Sequence, residues 1–438
     1  MTKPTLRSSL HSILNFNEGG AVKHVAIGSI VFRLVLVFYI FALGGFVLQN
    51  LCAITINGWP IGELLVNYEG GFVRRGLFGQ FFLETGHPVI AANLAQKIMI
   101  SVFFAGCGLI LLLWKNSFPA LAAFLLVIFA PGGLFDMASS GTFEYLDRKE
   151  VWFYVSAIVM VFYAKAFGTF SFSTALFFSV ISFLMILHHE LFFIYYSIPI
   201  SAILIFGMLL SKKRQFAISA LLYLSITTLT FLVTVLNPGT TETVAAMLGN
   251  YEGTDASGIL GGMEAIGWSL ATSHGLTQQM VTQGSVVYWM FFLLMAVLFV
   301  INTVVVASRN YFTLFISCFF MIWLLAAIGI SAWAGWDWGR WISMYSITFF
   351  LLFALLQVTE TGSFETGRLG RAFDYAATIF IRRSWSTNIL SMALMSFLVF
   401  LSISTRMSHC CPQNSAINLF GDNLIGKVLR QLMSIGGG

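Results

Sequence analysis

The run Asn67-Tyr68-Glu69-Gly70-Gly71-Phe72-Val73-Arg74-Arg75-Gly76-Leu77-Phe78-Gly79 sets one carboxylate and an arginine pair among glycines and aromatics. Guanidinium groups are planar, multidentate donors suited to phosphate or pyrophosphate, and a carboxylate beside them can take a proton from a hydroxyl. The glycines let the backbone bend and approach a ligand closely. Read without chemistry, the same segment is an interfacial loop with aromatics at the lipid headgroups and arginines on lipid phosphate.

Three further groups carry chemistry. Asp147-Arg148-Lys149-Glu150 flanks a basic pair with carboxylates, able to position a sugar, neutralise a phosphate or bind a divalent cation through oxygens. Its plainer reading is a solvated helix entrance whose charges pair with one another. His188-His189-Glu190 interrupts a long apolar stretch. Adjacent residues do not share a helix face and no HExxH pattern is present, so a hydrogen-bonding or proton-transfer role competes with a polar hairpin turn, and no metal is expected. Trp333-Ala334-Gly335-Trp336-Asp337-Trp338-Gly339-Arg340-Trp341 offers indole faces for a sugar beside an arginine for its phosphate. An aromatic belt with an Asp337–Arg340 ion pair, three residues apart, is the alternative.

The elements that must position these groups are transmembrane helices. The 438 residues are 58% hydrophobic and only 9% charged, too little polar surface for a water-soluble globule. Runs able to cross a bilayer, about eleven of them, fall near residues 25-55, 90-114, 117-133, 151-167, 170-187, 191-211, 216-236, 286-307, 311-333, 341-358 and 388-405. The fold expected is all-α and polytopic, the first run being retained rather than cleaved as a signal peptide. A formal charge of +5 comes from basic residues scattered in short loops; they read as topology signals and exclude a nucleic-acid footprint.

Lys115, Lys165, Lys212, Lys213, Arg214, Arg309, Arg382 and Arg383 fall on one side of an alternating map, and the long hydrophilic stretch 237-285, without Lys or Arg, falls on the other. The positive-inside rule therefore puts a cytoplasmic segment at 1-24, the transmembrane domain at 25-405 with outer loops at 56-89, 131-150, 237-285 and 334-341, and an outer tail at 406-438. Most carboxylates, and His87, His188, His189, His274 and His409, lie outside. Cys52, Cys410 and Cys411 could meet there, but nothing in their spacing demands a disulfide. Asn-Tyr-Glu-Gly occurs at Asn67 to Gly70 and again at Asn250 to Gly253, without the wider similarity that an internal repeat needs.

Many helices, an acidic first outer loop and Arg-rich outer motifs together resemble the GT-C-type glycosyltransferases and the bacterial O-antigen or capsular polysaccharide polymerases. The resemblance implies transfer of a sugar or oligosaccharide from a polyprenyl-(pyro)phosphate-linked donor at the outer face of the bacterial inner membrane. It implies no cofactor, and as partners membrane lipid and other proteins of a polysaccharide pathway. Glu69, Asp147, His189 and Glu190 become the catalytic or positioning candidates, with Glu69 as base. Arg74, Arg75, Arg148, Trp336, Asp337 and Arg340 become the substrate- and phosphate-binding set. The first outer loop lacks the paired DD, DE or DxD pattern of that family, and the long outer loop lacks its arginines. A transporter or flippase of a lipid-linked glycan is the rival reading; it needs polar residues at mid-membrane depth and usually internal repeats. A structural membrane subunit would explain the helices but not the outward carboxylates.

Overall fold

The computed structural model describes residues 58–113, 117–134, 148–211, 214–251, 260–282, 286–307, 311–335, 337–359, 384–405 and 407, with scattered helical positions between 34 and 45. The described residues are helical and contain no strand. Two short helices, α1 (Gly58–Leu64) and α2 (Leu77–Leu83), precede the long α3 (Pro88–Leu113) and α4 (Ser117–Phe129). Then come α5 (Glu150–Phe167), α6 (Phe172–His188), α7 (Ile198–Ser211) and α8 (Arg214–Val235). Three short helices follow, α9 (Thr241–Gly249), α10 (Leu260–Gly267) and α11 (Leu270–Thr282). The chain ends its described part with α12 (Val286–Ala307), α13 (Tyr311–Ala334), α14 (Trp338–Val358) and α15 (Ser384–Ser404).

Each apolar run expected beyond residue 90 coincides with one of these helices; the run at 25-55 lies almost wholly outside the described residues. Among the described residues six helices are long and apolar enough to cross a membrane, within α3, α5, α8, α12, α13 and α14. Shorter apolar helices at Phe172–His188, Phe193–Leu209 and Ala393–Ser402 accompany them. In hydrocarbon every backbone N–H and C=O must be satisfied within the segment, which is why such runs become helices.

The centre of the bundle is α14, whose residues from Gly339 to Leu356 are all buried. Its hydroxyls donate to carbonyls that the turn after α4 leaves open: Ser343 to Gly132 O at 2.7 Å, and Ser346 to Pro131 O at 3.3 Å. Before α7 the chain makes a π turn over Phe193–Ser197, with Ile198 N–H reaching back to Phe193 O. Pro199 explains it, since its ring would clash with the carbonyl four residues earlier and it has no N–H to give. The indole of Trp323 donates to the carbonyl of Ile194 at 2.7 Å, while Tyr195 and Tyr196 turn inward to Ser331 and Thr348.

The stretch 237-285, expected as a long hydrophilic loop, folds into α9, α10 and α11 in its described part. It caps the first loop: α10 packs on α1 so closely that a Cβ at Gly262 would lie 2.6 Å from Glu63 N. Asn67 donates to the Tyr251 hydroxyl at 3.3 Å, and that hydroxyl donates to Leu65 O at 3.3 Å, so the two Asn-Tyr-Glu-Gly segments meet.

Candidate functional site

The starts of α5 and α14, the end of α6 and the loop between α1 and α2 converge at one end of the bundle, where they bring most of the candidate residues into a single ion-pair network. Its lower tier is built on α1, α5 and α14. Arg148 Nη1 lies 3.1 Å and Lys149 Nζ 3.7 Å from the Glu63 carboxylate. Arg340 pairs closely with Glu150, donates to Asp337 at 3.0 Å and approaches Glu63 at 3.9 Å. Gln96 of α3 supports the tier from the side, donating to Arg148 O and accepting from Trp152 Nε1, each at 2.9 Å.

The upper tier is built on Glu190. Arg75 binds its carboxylate through Nε at 2.9 Å to Oε2 and through a second, closer contact from Nη2, while Arg74 Nη1 reaches Oε1 at 3.1 Å. Gly71 (φ 99°) turns the loop, and Arg75 itself takes a left-handed conformation (φ 71°). A non-glycine residue there costs about 1–2 kcal/mol, and the fork onto Glu190 is what holds it. Downstream, Phe78 of α2 packs on Trp152 at 4.6 Å and on His188 at 4.7 Å between ring centroids, fastening the loop to α5 and α6.

His189 sits at the turn after α6, with Nδ1 3.3 Å from Glu190 and accepting from Leu191 N–H at 3.2 Å. Accepting at Nδ1 places its proton on Nε2. Burial, then the nearby Arg75 and Lys149, push the imidazole well below its usual range, so it is neutral near pH 7. Burial opposes ionisation of Glu190, but the Arg75 and Arg74 guanidinium groups outweigh it and hold the carboxyl well below the usual carboxylate range. Glu63 behaves alike, ionised against its burial by Lys149, Arg148, Arg340 and Arg75. Burial pushes the Lys149 ammonium down to about 7 despite Glu63. Among the described residues Lys149 Nζ and Glu63 Oε2 have no hydrogen-bond partner. In all, Arg74, Arg75, Arg148, Lys149 and Arg340 face Glu63, Glu150, Glu190 and Asp337. With Lys149 charged, cations exceed carboxylates by one.

No known protein family, no curated protein and no solved structure matches the chain. The network is therefore read from its own geometry. Of the sequence candidates it unites Arg74, Arg75, Arg148, His189, Glu190, Asp337 and Arg340. Asp147 and Trp336 lie outside the described residues. Glu69 does not join it: its side chain is exposed, and its amide donates to Asn67 Oδ1 at 3.0 Å in a local turn. The reading of Arg148 to Glu150 as a solvated helix entrance is overturned, because all three are buried and pair with Glu63 of α1 and Arg340 of α14. The Asp337–Arg340 pair forms, but as the exposed edge of a buried cluster. Among the described residues no group of three His, Cys, Asp or Glu is arranged to hold a metal ion.

Glu63 is the network residue that the sequence analysis did not single out, and Lys149 and Glu150, inside a motif it did single out, were not among its site residues. The signal available was a lone carboxylate in the apolar Gly-Trp-Pro-Ile-Gly-Glu-Leu segment; in the structure it is buried and accepts from the Trp59 indole at 3.2 Å. An ionisable group in an apolar segment is costly unless partnered.

Proposed function

We propose that the protein is a membrane glycosyltransferase or polysaccharide polymerase. It takes sugar or oligosaccharide from a polyprenyl-(pyro)phosphate-linked donor at the outer face of the bacterial inner membrane. In this reading the six long apolar helices, the three shorter ones, α4 and the run at 25-55 make about eleven spans, with the N-terminus in the cytoplasm and the charged end outside. The observation that carries it is a charged network gathered at one end of an apolar helical bundle, in which the partly exposed Arg74 and Arg75 close on the buried Glu190. Such a site suits the phosphate of an amphiphile whose chain stays in the bilayer.

The reaction needs a hydroxyl to attack an anomeric carbon while a lipid (pyro)phosphate departs, and positioning with charge stabilisation does most of the work. Arg74 and Arg75 are the partly exposed cations, so they take the phosphate. Glu190 is a weak base while both arginines hold it. A phosphate that draws Arg75 away raises the basicity of Glu190 at the moment substrate is present, beside a neutral His189 that can donate from Nε2. Glu69, on the exposed rim of the same loop, is the alternative base.

A flippase is disfavoured by the placement of the ionisable cluster at the helix ends instead of mid-span. The test uses the purified protein in liposomes with a polyprenyl-diphosphate-linked oligosaccharide. Extension of the glycan is expected, with a loss of roughly 10²- to 10⁴-fold for Glu190→Gln. Movement of the lipid-linked glycan between leaflets without any transfer would overturn the enzyme reading in favour of transport.

A further inference from the structure

Beside the network lies an apolar cleft of about 180 Å³ between α12, α13 and α14, walled by Trp289, Leu293, Ile328, Ala332, Trp338 and Trp341 among others. It is larger than the roughly 150 Å³ apolar cavities that stay dry and take up benzene, so hydrocarbon and not water is its natural content. Its lip is Met290, and the same face of α12 exposes Val287 and Leu294. Apolar side chains exposed on a membrane-crossing helix face lipid, so the cleft opens sideways into the bilayer. Its inner wall is Trp341, and the Arg340 guanidinium lies 4.8 Å from the centroid of that ring. One indole thus separates the hydrocarbon cleft from the network. Of the carboxylates on Arg340, Asp337 is the accessible one, its side chain 21% exposed against 1% for Glu150.

We propose that this cleft seats the headgroup-proximal part of the hydrocarbon chain of a lipid phosphate, entering laterally from the bilayer, with the phosphate turned past Trp341 toward Arg340. The proposal rests on the functional reading above and adds to it where the chain of the donor lies. It replaces sugar stacking as the task of Trp338 and Trp341. The indole of Trp338 donates to Ala332 O at 3.3 Å, and its edge faces Trp289, so these rings build an apolar wall.

The full-length protein in nanodiscs is titrated with a long-chain polyprenyl phosphate and with inorganic phosphate. Ala332→Phe fills the cleft without touching a charged group. It should weaken the long-chain phosphate at least about tenfold, equivalent to losing about two buried methylene groups, and leave inorganic phosphate unchanged. In parallel, a polyprenyl phosphate with a diazirine in its first isoprene units is photolysed on the unaltered protein. Label should appear on Met290, Leu293 or Ile342, a result that holds even if Ala332→Phe fails to fold. Label elsewhere, or unchanged long-chain binding in a folded Ala332→Phe protein, overturns the cleft while leaving glycosyl transfer intact. Label in the cleft without any glycosyl transfer keeps the cleft and sinks the transferase. A protein that takes up neither label nor long-chain phosphate sinks both.

Discussion

The carboxylates of Glu190 and Glu63 each gather cations, yet they meet water differently. Around Glu190 the Arg74 and Arg75 side chains are 24% and 16% exposed; around Glu63 the Lys149 side chain is 1% exposed and Arg340 7%. Both carboxyls stay ionised, and Arg75 acts electrostatically on Glu63 as well, so the tiers are one network. The difference lies in exchange. An ion pair at the rim can swap a carboxylate for a ligand's phosphate, whereas a sealed pair that loses a partner strands a charge in low dielectric. The upper tier has the properties of a binding site; in the lower tier Glu63 with Arg148 and Lys149 has those of a scaffold, and Arg340 is open to a ligand only from its Asp337 side.

The comparison breaks first at the lower tier, where the effect should be largest. Glu63→Gln leaves Arg148 and Lys149 without their shared counter-charge and should cost about 3–5 kcal/mol, read as a lower melting temperature and reduced membrane yield. Arg340→Ala should cost a similar amount, well above the roughly 1 kcal/mol of an exposed Asp–Arg pair. A loss within that smaller range would mean the lower tier is hydrated and the distinction unfounded.

Glu190→Gln should instead lower glycosyl transfer by roughly 10²- to 10⁴-fold while destabilising less than Glu63→Gln. Arg75→Lys keeps the charge but loses the fork onto Glu190, so transfer should fall, with a stability loss of about 1–2 kcal/mol from the strained backbone that the fork holds, below that of Glu63→Gln. Equal damage to stability at Glu190 and Glu63 would merge the two tiers into one structural cluster.

A pH series sharpens the comparison further. Lys149 is lowered from 10.5 to about 7 by burial, so between those values the folded state binds fewer protons than the unfolded one. Stability from this group must then rise with pH across that window. Melting temperatures at its two ends should show the rise in the wild type and a smaller one in Lys149→Met; identical slopes would mean that the ammonium is solvated. The smallest effect belongs to Glu69→Gln, which should change stability by less than about 0.5 kcal/mol. If Glu190 is the base, transfer stays normal in that variant. A collapse there, with Glu190→Gln active, would exchange the two roles.

Much of this arrangement was legible in the chain. Apolar runs bounded by charged residues located the helices to within a few positions, because hydrocarbon permits a spanning segment almost no other backbone. The same alternation gathered Arg74, Arg75, Arg148, Glu190 and Arg340 at one end, which is a consequence of helix length and order alone. What the chain could not reveal was which acid each cation would find. Glu63 and Arg148 are 85 residues apart, and Glu150 and Arg340 are 190 apart. Local spacing instead favoured Glu69 beside the arginine pair and Asp337 beside Arg340. The packing of α1 under α10, and of α5 against α14, chose Glu63 and Glu150. A buried cation must be neutralised by whatever carboxylate shares its low-dielectric pocket, and only tertiary packing decides which one that is.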